Sequence, residues 1–470
     1  MQATSSIKIN FAYKSALTLS SYLISFITFP YVSRVLGVER IGLVNFIDNT
    51  IGYFLLFATM GISLLGVREI AAVKDNTEKR NKVFANLLGL NLGFTFVTLF
   101  IYTIAVFAVP KLNQYSELFF IGTAKIISTA FLAEWFFSGI ENFRYITLRS
   151  LSIRILYVIA VFIFVRSTND YKLYFILTVG TVVVNAVINS IYVRRFVKIH
   201  LQELLNLSYL RENCILGIYL LMTSMYLSFN VMYLGFVSGN VQVGYYTTAF
   251  KIYTIILGLF TSFTNVMLPR MSALLAEGKK DRFEDLINQS FRAICMFSIP
   301  VIICCMILTP EIIYVISGQG YEGAIIPMRI IMPAALFVGI AQVLALQILA
   351  PMKKDKMLFI ASIVGAVISI IINITLVPYF GSTGSAIVLL SSEMAVTTTY
   401  IIYILRHRIM PIPFDSIWKN CLLTLPTAMI CLLCQHFIEN QFVLLIVVVP
   451  IAFTVWGACK CVFTPIRQFI

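Results

Sequence analysis

The sequence has 470 residues, of which 59% are hydrophobic and only 12% are charged, and its mean hydropathy is +0.91. An average soluble domain carries roughly 25% charged residues, and a chain of this length needs them to cover its core. The composition therefore excludes a secreted or cytosolic enzyme, a nucleic-acid-binding protein and a disordered chain. It predicts an all-α, multi-pass integral membrane protein.

About fourteen stretches are long and apolar enough to cross a bilayer, which takes about 20 residues of helix. They lie near residues 10–33, 42–66, 83–109, 118–140, 151–165, 173–193, 213–237, 244–268, 289–309, 324–350, 357–377, 385–405, 417–438 and 442–458. The first stretch is too long for a signal peptide and has no cleavage pattern, so we expect it to remain as an anchor.

Basic residues outnumber acidic ones by 35 to 21, and their positions predict the orientation of the chain. With a cytoplasmic N-terminus, the inside segments carry 24 Lys and Arg residues and the outside segments carry five. This asymmetry is a strong positive-inside signal, so both termini are predicted to be cytoplasmic. It also explains most of the net charge of +14 without a nucleic-acid partner.

An internal repeat is suggested by three pairs of residues that lie 202 positions apart at corresponding helix ends. The pairs are Gly37 with Gly239, Gly42 with Gly244, and Arg68 with Arg270. Two parallel six-helix repeats would place a substrate site between them. We predict a first lobe at 1–193, a cytoplasmic linker at 194–212, a second lobe at 213–405, and two additional helices with a tail at 406–470.

Motifs for catalysis or metal binding are weak in this sequence. Gly318-x-Gly320-x-x-Gly323 matches a dinucleotide-binding pattern by letter, but it falls in a short outside loop and is interpreted as a turn. Cys431-x-x-Cys434 lies inside an apolar run and is interpreted as packing. No Walker A sequence and no large outside loop are present. We therefore predict a transporter with no cofactor or metal and without its own ATPase.

Ionisable residues within the apolar stretches are candidates for function, because each is costly to place in hydrocarbon. They are Asp48, Lys125, Glu134, Lys251, Arg329 and Glu393. All except Glu134 lie five to eight residues below the predicted outer surface, which corresponds to a depth of roughly 8–12 Å. Glu134 lies nearer the inside.

Two interpretations of this charged layer remain open. The first is a water-filled cavity that binds an anionic phosphate group through four cations: Lys125, Lys251, Arg329 and Arg34. The second is a set of structural ion pairs that join helices. Asp48, Glu134 and Glu393 would serve either ion coupling or charge pairing, and coupling would use a proton or sodium gradient.

Several short strings resemble the Wzx-type polysaccharide flippases of the multidrug/oligosaccharidyl-lipid/polysaccharide exporter superfamily. In the first half they are FPYVSRVLG at 29–37, GVREIA at 66–71, and EWFFSGIE at 134–141 followed by YIT at 145–147. In the second half they are VGYY at 243–246, MLPRMS at 267–272 and FGSTG at 380–384. The resemblance covers nearly the whole chain, and the order of the strings carries it more than any single one.

The resemblance implies a MATE-like fold of two lobes around a central cavity, in the inner membrane of a bacterium. It implies transfer of an undecaprenyl-pyrophosphate-linked oligosaccharide to the outer leaflet for O-antigen, lipopolysaccharide or capsule synthesis. The polysaccharide polymerase and the chain-length regulator would be protein partners. Members often carry an Asp-Lys pair in the seventh span, where this chain has Asn230-Val231.

Two other functions remain as alternatives. A multidrug or small-cation antiporter of the same superfamily would favour an acidic cavity, whereas the predicted layer is basic on balance. A membrane-embedded polymerase or ligase would need a large outside loop, which the sequence lacks.

Overall fold

The computed structural model describes residues 7–198, 201–227 and 229–463, and these described residues form helices and no strand. The α-helices, in chain order, are α1 (Ile7–Thr59), α2 (Ile62–Ala72), α3 (Thr77–Ala108), α4 (Pro110–Asn113), α5 (Ser116–Phe131), α6 (Glu134–Gly139), α7 (Phe143–Phe164), α8 (Tyr171–Val193), α9 (Leu201–Leu204), α10 (Leu210–Leu227), α11 (Phe229–Ser238), α12 (Asn240–Ala276), α13 (Lys280–Ile307), α14 (Thr309–Ser317), α15 (Ile325–Ile331), α16 (Ala334–Gln342), α17 (Asp355–Arg406), α18 (Asp415–Phe437) and α19 (Gln441–Phe463). A π-helical stretch, Val343–Leu349, follows α16.

The predicted membrane-spanning architecture is confirmed. Within the described ranges, ten helical stretches are long and apolar enough to cross a membrane. Two of them, Ala16–Ala72 with 57 residues and Asp355–Arg406 with 52, are more than twice the length that one crossing needs. Large apolar side chains are exposed on the membrane-spanning helices, for example Phe96 and Phe100 on α3, as expected for surfaces that face lipid.

Single glycines interrupt the longest helices. Gly37 breaks α1 with φ 74° and ψ 168°, and Gly381 breaks α17 with φ 52° and ψ −125°. Gly239 separates α11 from α12 with φ 85° and ψ 175°. Residues other than glycine rarely adopt these backbone angles. The predicted outside loops at these three places are therefore reduced to one non-helical residue each.

The chain divides into two compact units, residues 1–236 and 237–470. Helix α10, which the sequence assigns to the start of the second lobe, lies in the first unit because it packs closely on α2. A Cβ atom on Gly61 would lie 2.5 Å from the Asn213 carbonyl oxygen, and the Tyr53 hydroxyl donates to the Ser224 carbonyl at 3.1 Å. Helix α10 therefore contacts residues that precede the predicted linker, although the sequence assigns it to the lobe that follows. The duplication itself stays a prediction.

The core of the first unit is built around the EWFFSG string. Ala133 has a φ of 44°, so α5 ends before it and the short helix α6 starts in a new direction. Trp135 stacks on Phe84 with ring centroids 5.4 Å apart. Gly66 on α2 leaves room for that indole, since a Cβ atom there would lie 2.5 Å from the ring. Two of the strings that resemble the flippases therefore pack against each other.

The residues after α8 lie along α3 in the first unit. The Arg80 guanidinium donates to the Phe196 carbonyl at 2.8 Å, and the Asn86 amide donates to the Ser208 hydroxyl at 3.0 Å. A Cβ atom on Gly89 would lie 1.9 Å from the carbonyl oxygen of Leu204 in α9. The backbone of the predicted linker therefore approaches α3 at a glycine.

The second unit has its own core, in which α13 packs against α16 and α18. Phe283, Ile287, Phe291 and Ile294 follow one face of α13 at spacings of three and four residues, and all are buried. A smaller cluster joins the C-terminal part of α13 to α18 and α19. Helices α18 and α19, which lie beyond the predicted repeat, are therefore held to the rest of the second unit by apolar contacts.

Candidate functional site

A cavity of about 340 Å³ lies between α1, α7 and α8 in the first unit. Glu134, Arg154, Tyr157 and Asn185 contribute its charged and larger polar groups. Hydroxyl groups line much of the remainder, from Ser21, Ser25, Ser150, Thr178 and Thr181. Because these helices lie in membrane-spanning stretches, the cavity is a polar space within the predicted hydrocarbon layer.

Arg154 and Asn185 offer unused hydrogen-bonding capacity at this cavity. Arg154 Nη1 donates to the Leu17 carbonyl and the Ser20 hydroxyl, both at 3.0 Å, and no described residue accepts from Nε or Nη2. The Asn185 amide donates to the Thr181 carbonyl at 2.6 Å, while its buried Oδ1 has no partner. A ligand here would meet the Arg154 guanidinium together with the hydroxyl groups of the lining.

A buried arginine holds the carboxylate of the cavity. Arg149 Nη2 donates to Glu134 Oε1 at 2.5 Å, and the Arg149 side chain is only 4% exposed. Arg149 also donates to Asn189, whose amide in turn donates to the Leu132 carbonyl at the end of α5. That carbonyl has lost its helical partner at the break before α6, so the network satisfies it.

Glu134 and Arg154 are the charged residues that line the cavity, and the sum is positive once Arg149, which lies behind the lining and pairs with Glu134, is included. Glu134 is offset by Arg149, whereas Arg154 donates to a carbonyl and a hydroxyl, which carry no charge. A weakly hydrated guanidinium in a polar site within a membrane favours an anionic ligand, above all one with phosphate or carboxylate oxygens.

The structure brings together two of the residues that the sequence singled out. Lys125 Nζ lies 2.6 Å from Asp48 Oδ1, with the side chains 15% and 35% exposed. Helices α5 and α1 are therefore joined by an ion pair at this point. The contact is the one that the structural interpretation expects, and the functional role of each residue stays a prediction.

The other predicted residues are distributed over both units. Arg34 is exposed on α1, and Lys251 is half-buried on α12. Arg329 is exposed on α15, and its Nε donates to the Met306 carbonyl at 3.1 Å. Glu393 is buried on α17 with 6% of its surface exposed. Their proposed roles in substrate binding and coupling stay predictions.

Arg149 and Arg154 are not among the candidate residues predicted from the sequence. The predicted fifth span starts at residue 151, whereas α7 begins at Phe143, and this difference places Arg149 in a predicted inside loop. Arg154 lies within the predicted span but was not singled out. Its position inside an apolar run was a usable signal, since such a residue usually faces a cavity or a partner.

A multi-pass helical chain with a polar cavity lined by several of its spans has the architecture of a membrane transporter. Its family follows from comparison with known proteins. The chain belongs to the family described as "Polysaccharide biosynthesis protein", whose model matches residues 7–275, more than half of the chain. The MatE family model matches residues 215–375.

Two relatives carry the name "Putative O-antigen transporter". The one from Escherichia coli (strain K12) is 24% identical over 415 residues, which cover 86% of this chain and 98% of the relative. The one from Shigella dysenteriae is 26% identical over 384 residues, which cover 80% and 94%. The predicted resemblance to Wzx-type flippases is confirmed.

The fold is shared with solved transporter structures. "Lipid II flippase MurJ, inward closed conformation" superposes with a TM-score of 0.74 at 16% identity, covering 96% of this chain and 98% of that one. An inward-facing multidrug MATE transporter gives 0.57 at 14% identity, covering 87% and 96%. The MATE-like fold is thus confirmed. The prediction of a membrane transporter in polysaccharide biosynthesis, rather than an enzyme, is confirmed as well.

Proposed function

We propose that this chain turns an oligosaccharide linked to undecaprenyl pyrophosphate from the cytoplasmic to the outer leaflet of a bacterial inner membrane. The product would supply O-antigen, lipopolysaccharide or capsule synthesis. The family match, the relatives named as O-antigen transporters and the flippase with the same fold support the proposal. The polysaccharide polymerase and the chain-length regulator are proposed as the proteins that act next on the product.

The cavity of the first unit is the observation that carries this proposal. Pyrophosphate is the part of such a substrate that hydrocarbon rejects most strongly, because charged oxygens lose their water. Arg154 Nε and Nη2 can replace part of that water by charge-assisted hydrogen bonds. The serine and threonine hydroxyls of the lining suit the hydroxyl groups of the adjoining sugar. A cationic drug would instead meet a cavity of net positive charge.

The predicted cations keep a role in this proposal. Lys125, Lys251, Arg329 and Arg34 are proposed to attract the pyrophosphate as it passes between leaflets. Lipid flipping needs a driving force, and we propose a proton or sodium gradient acting through Asp48, Glu134 or Glu393. If Asp48→Asn and Glu393→Gln both leave glycan export dependent on the gradient as before, coupling through these two is excluded.

The test is made on Arg154. A strain that lacks this chain is complemented with Arg154→Gln, Arg154→Lys and, as the matched control, Arg144→Gln, an exposed arginine at the start of the same helix. We expect surface glycan to fall roughly tenfold or more with Arg154→Gln, since 1.4 kcal/mol of lost interaction is a factor of ten.

The two other variants show whether the charge is responsible. Arg154→Lys retains the charge and is expected to keep part of the export, and Arg144→Gln is expected to keep all of it. Full surface glycan from Arg154→Gln, at unchanged membrane expression, would contradict a substrate role for the cavity.

A further inference from the structure

Two cysteines from different helices meet inside the second unit. Cys304 Sγ on α13 lies 3.8 Å from Cys431 Sγ on α18, and the residues are 8% and 0% exposed. Leu308 and Leu444 belong to the same buried cluster. The sequence predicts apolar packing for Cys431, but it gives no sign that a second thiol faces it.

The geometry is close to that of a disulfide. A sulfur–sulfur bond is about 2.05 Å long, so the two atoms must approach by roughly 1.8 Å. Rotation of the two side chains about their Cα–Cβ bonds is the movement that would close this gap. Cys305 and Cys434 lie half-buried on the same two helices, and they serve as control cysteines in the experiment below.

The predicted orientation places the pair near the outer surface. Helix α13 ends at Ile307, three residues after Cys304, and α18 ends at Phe437, six residues after Cys431. At 1.5 Å per residue the two sulfurs lie roughly 5 and 9 Å below those helix ends. The space outside a bacterial inner membrane is oxidising, which allows disulfides to form and persist.

We propose that Cys304 and Cys431 form a disulfide that fastens α18 to α13. The two thiols lose two protons and two electrons as the sulfur–sulfur bond forms. A thiol–disulfide oxidoreductase on the outer side accepts the electrons, and its own disulfide is reduced to two thiols through a mixed disulfide. The exchange precedes burial, because the packed helices leave Cys431 with no exposed surface.

The bond would have a structural consequence for the end of the chain. It closes a loop between residues 127 positions apart, and long closed loops lose much conformational entropy in the unfolded state. The helix pair α18–α19 would then stay attached to the second unit by a covalent bond in addition to apolar contacts. This inference is independent of the substrate proposed above.

The experiment counts thiols that appear only after reduction. Full-length protein is extracted from cells in denaturant with an alkylating maleimide, then reduced and treated with a polyethylene-glycol maleimide that shifts its mobility on a gel. We expect two added groups in the wild type and none with Cys304→Ser or Cys431→Ser. The matched controls Cys305→Ser and Cys434→Ser are expected to keep both groups.

A second measurement covers variants that express poorly. The melting temperature of the purified wild type is expected to fall by several degrees on reduction, while that of Cys431→Ser is expected to be insensitive to reductant. The proposal is overturned if reduction exposes no additional thiol in the wild type, or if the two added groups persist in Cys304→Ser. Either result would leave the pair as two packed thiols.

Discussion

Single charged side chains inside the first unit are held in two ways. Lys125 and Arg149 each meet a carboxylate, at 2.6 and 2.5 Å, whereas the described partners of Arg154 are a carbonyl and a hydroxyl. The charge of a paired cation is largely neutralised by its partner, and removing either partner leaves an uncompensated charge. Arg154 is therefore the group in this cavity whose charge is available to an anionic ligand.

The ion pair between Lys125 and Asp48 allows its structural and functional roles to be separated. Lys125→Gln leaves the Asp48 carboxylate unpaired and is expected to lower the free energy of unfolding by about 1–3 kcal/mol, between the values for exposed and for fully buried pairs, because the Asp48 side chain is 35% exposed. Adding Asp48→Asn should restore most of that loss. Thermal unfolding of the purified variants measures both effects.

Surface glycan gives the second readout for this pair. If Lys125 also attracts the pyrophosphate, the double variant recovers its stability but not its export. Export that returns together with stability would show that the pair is structural.

Residues of the site could be predicted only in part. Asp48, Lys125 and Glu134 stand out because an ionisable side chain within an apolar run is rare and costly. Arg149 was missed because hydropathy locates the apolar part of a helix and not its first turns, and α7 starts eight residues before the predicted span. Which charges pair across helices depends on packing that no local pattern specifies.

At the level of elements, hydropathy was sufficient to locate the spans but not the breaks between them. The runs on both sides of Gly37 and Gly381 were correctly separated, because apolar stretches of these lengths must cross more than once. That one residue suffices as the break follows from backbone angles, which composition does not report. The packing of α10 on α2 through Gly61 was equally invisible in the sequence.

Gly37→Ala tests the break in α1. A Cβ atom there has nothing within 4 Å, so the expected loss of about 1–3 kcal/mol in the free energy of unfolding comes from backbone strain alone. Gly52→Ala is the matched control, since it lies in the same helix with equally open space and ordinary helical angles. It should be neutral or slightly stabilising. Equal melting temperatures for the two variants would contradict the assigned angles.

Gly89→Ala tests the contact of the linker with α3. The added methyl group would collide with the Leu204 carbonyl oxygen, whereas Gly93, one turn further along α3, has open space. We expect trypsin to cut after Lys198 or Arg211 faster in Gly89→Ala than in Gly93→Ala or the wild type. Unchanged cleavage in Gly89→Ala would show that the linker is not held by this contact.

For the whole molecule, the 24-to-5 distribution of basic residues predicts the orientation in the membrane. Cysteines placed at Lys79, Lys280 and Lys354 are expected to stay unlabelled by a membrane-impermeant maleimide added to intact cells. Lys111→Cys, in a predicted outside segment, should be labelled, with the wild-type protein as background. Labelling of Lys354→Cys from outside would reverse the assigned orientation.

The backbone angles at the glycine breaks restrict which substitutions the sequence can accept at these positions. Gly37 and Gly239 share nearly the same backbone angles, φ 74° and 85° with ψ 168° and 175°. A Cβ atom at either position would touch nothing within 4 Å. If the two halves descend from one ancestral segment, the feature that both copies retain at this position is a pair of backbone angles and not a side-chain contact. Missense changes at these codons would then be selected against even though they disturb no neighbouring side chain.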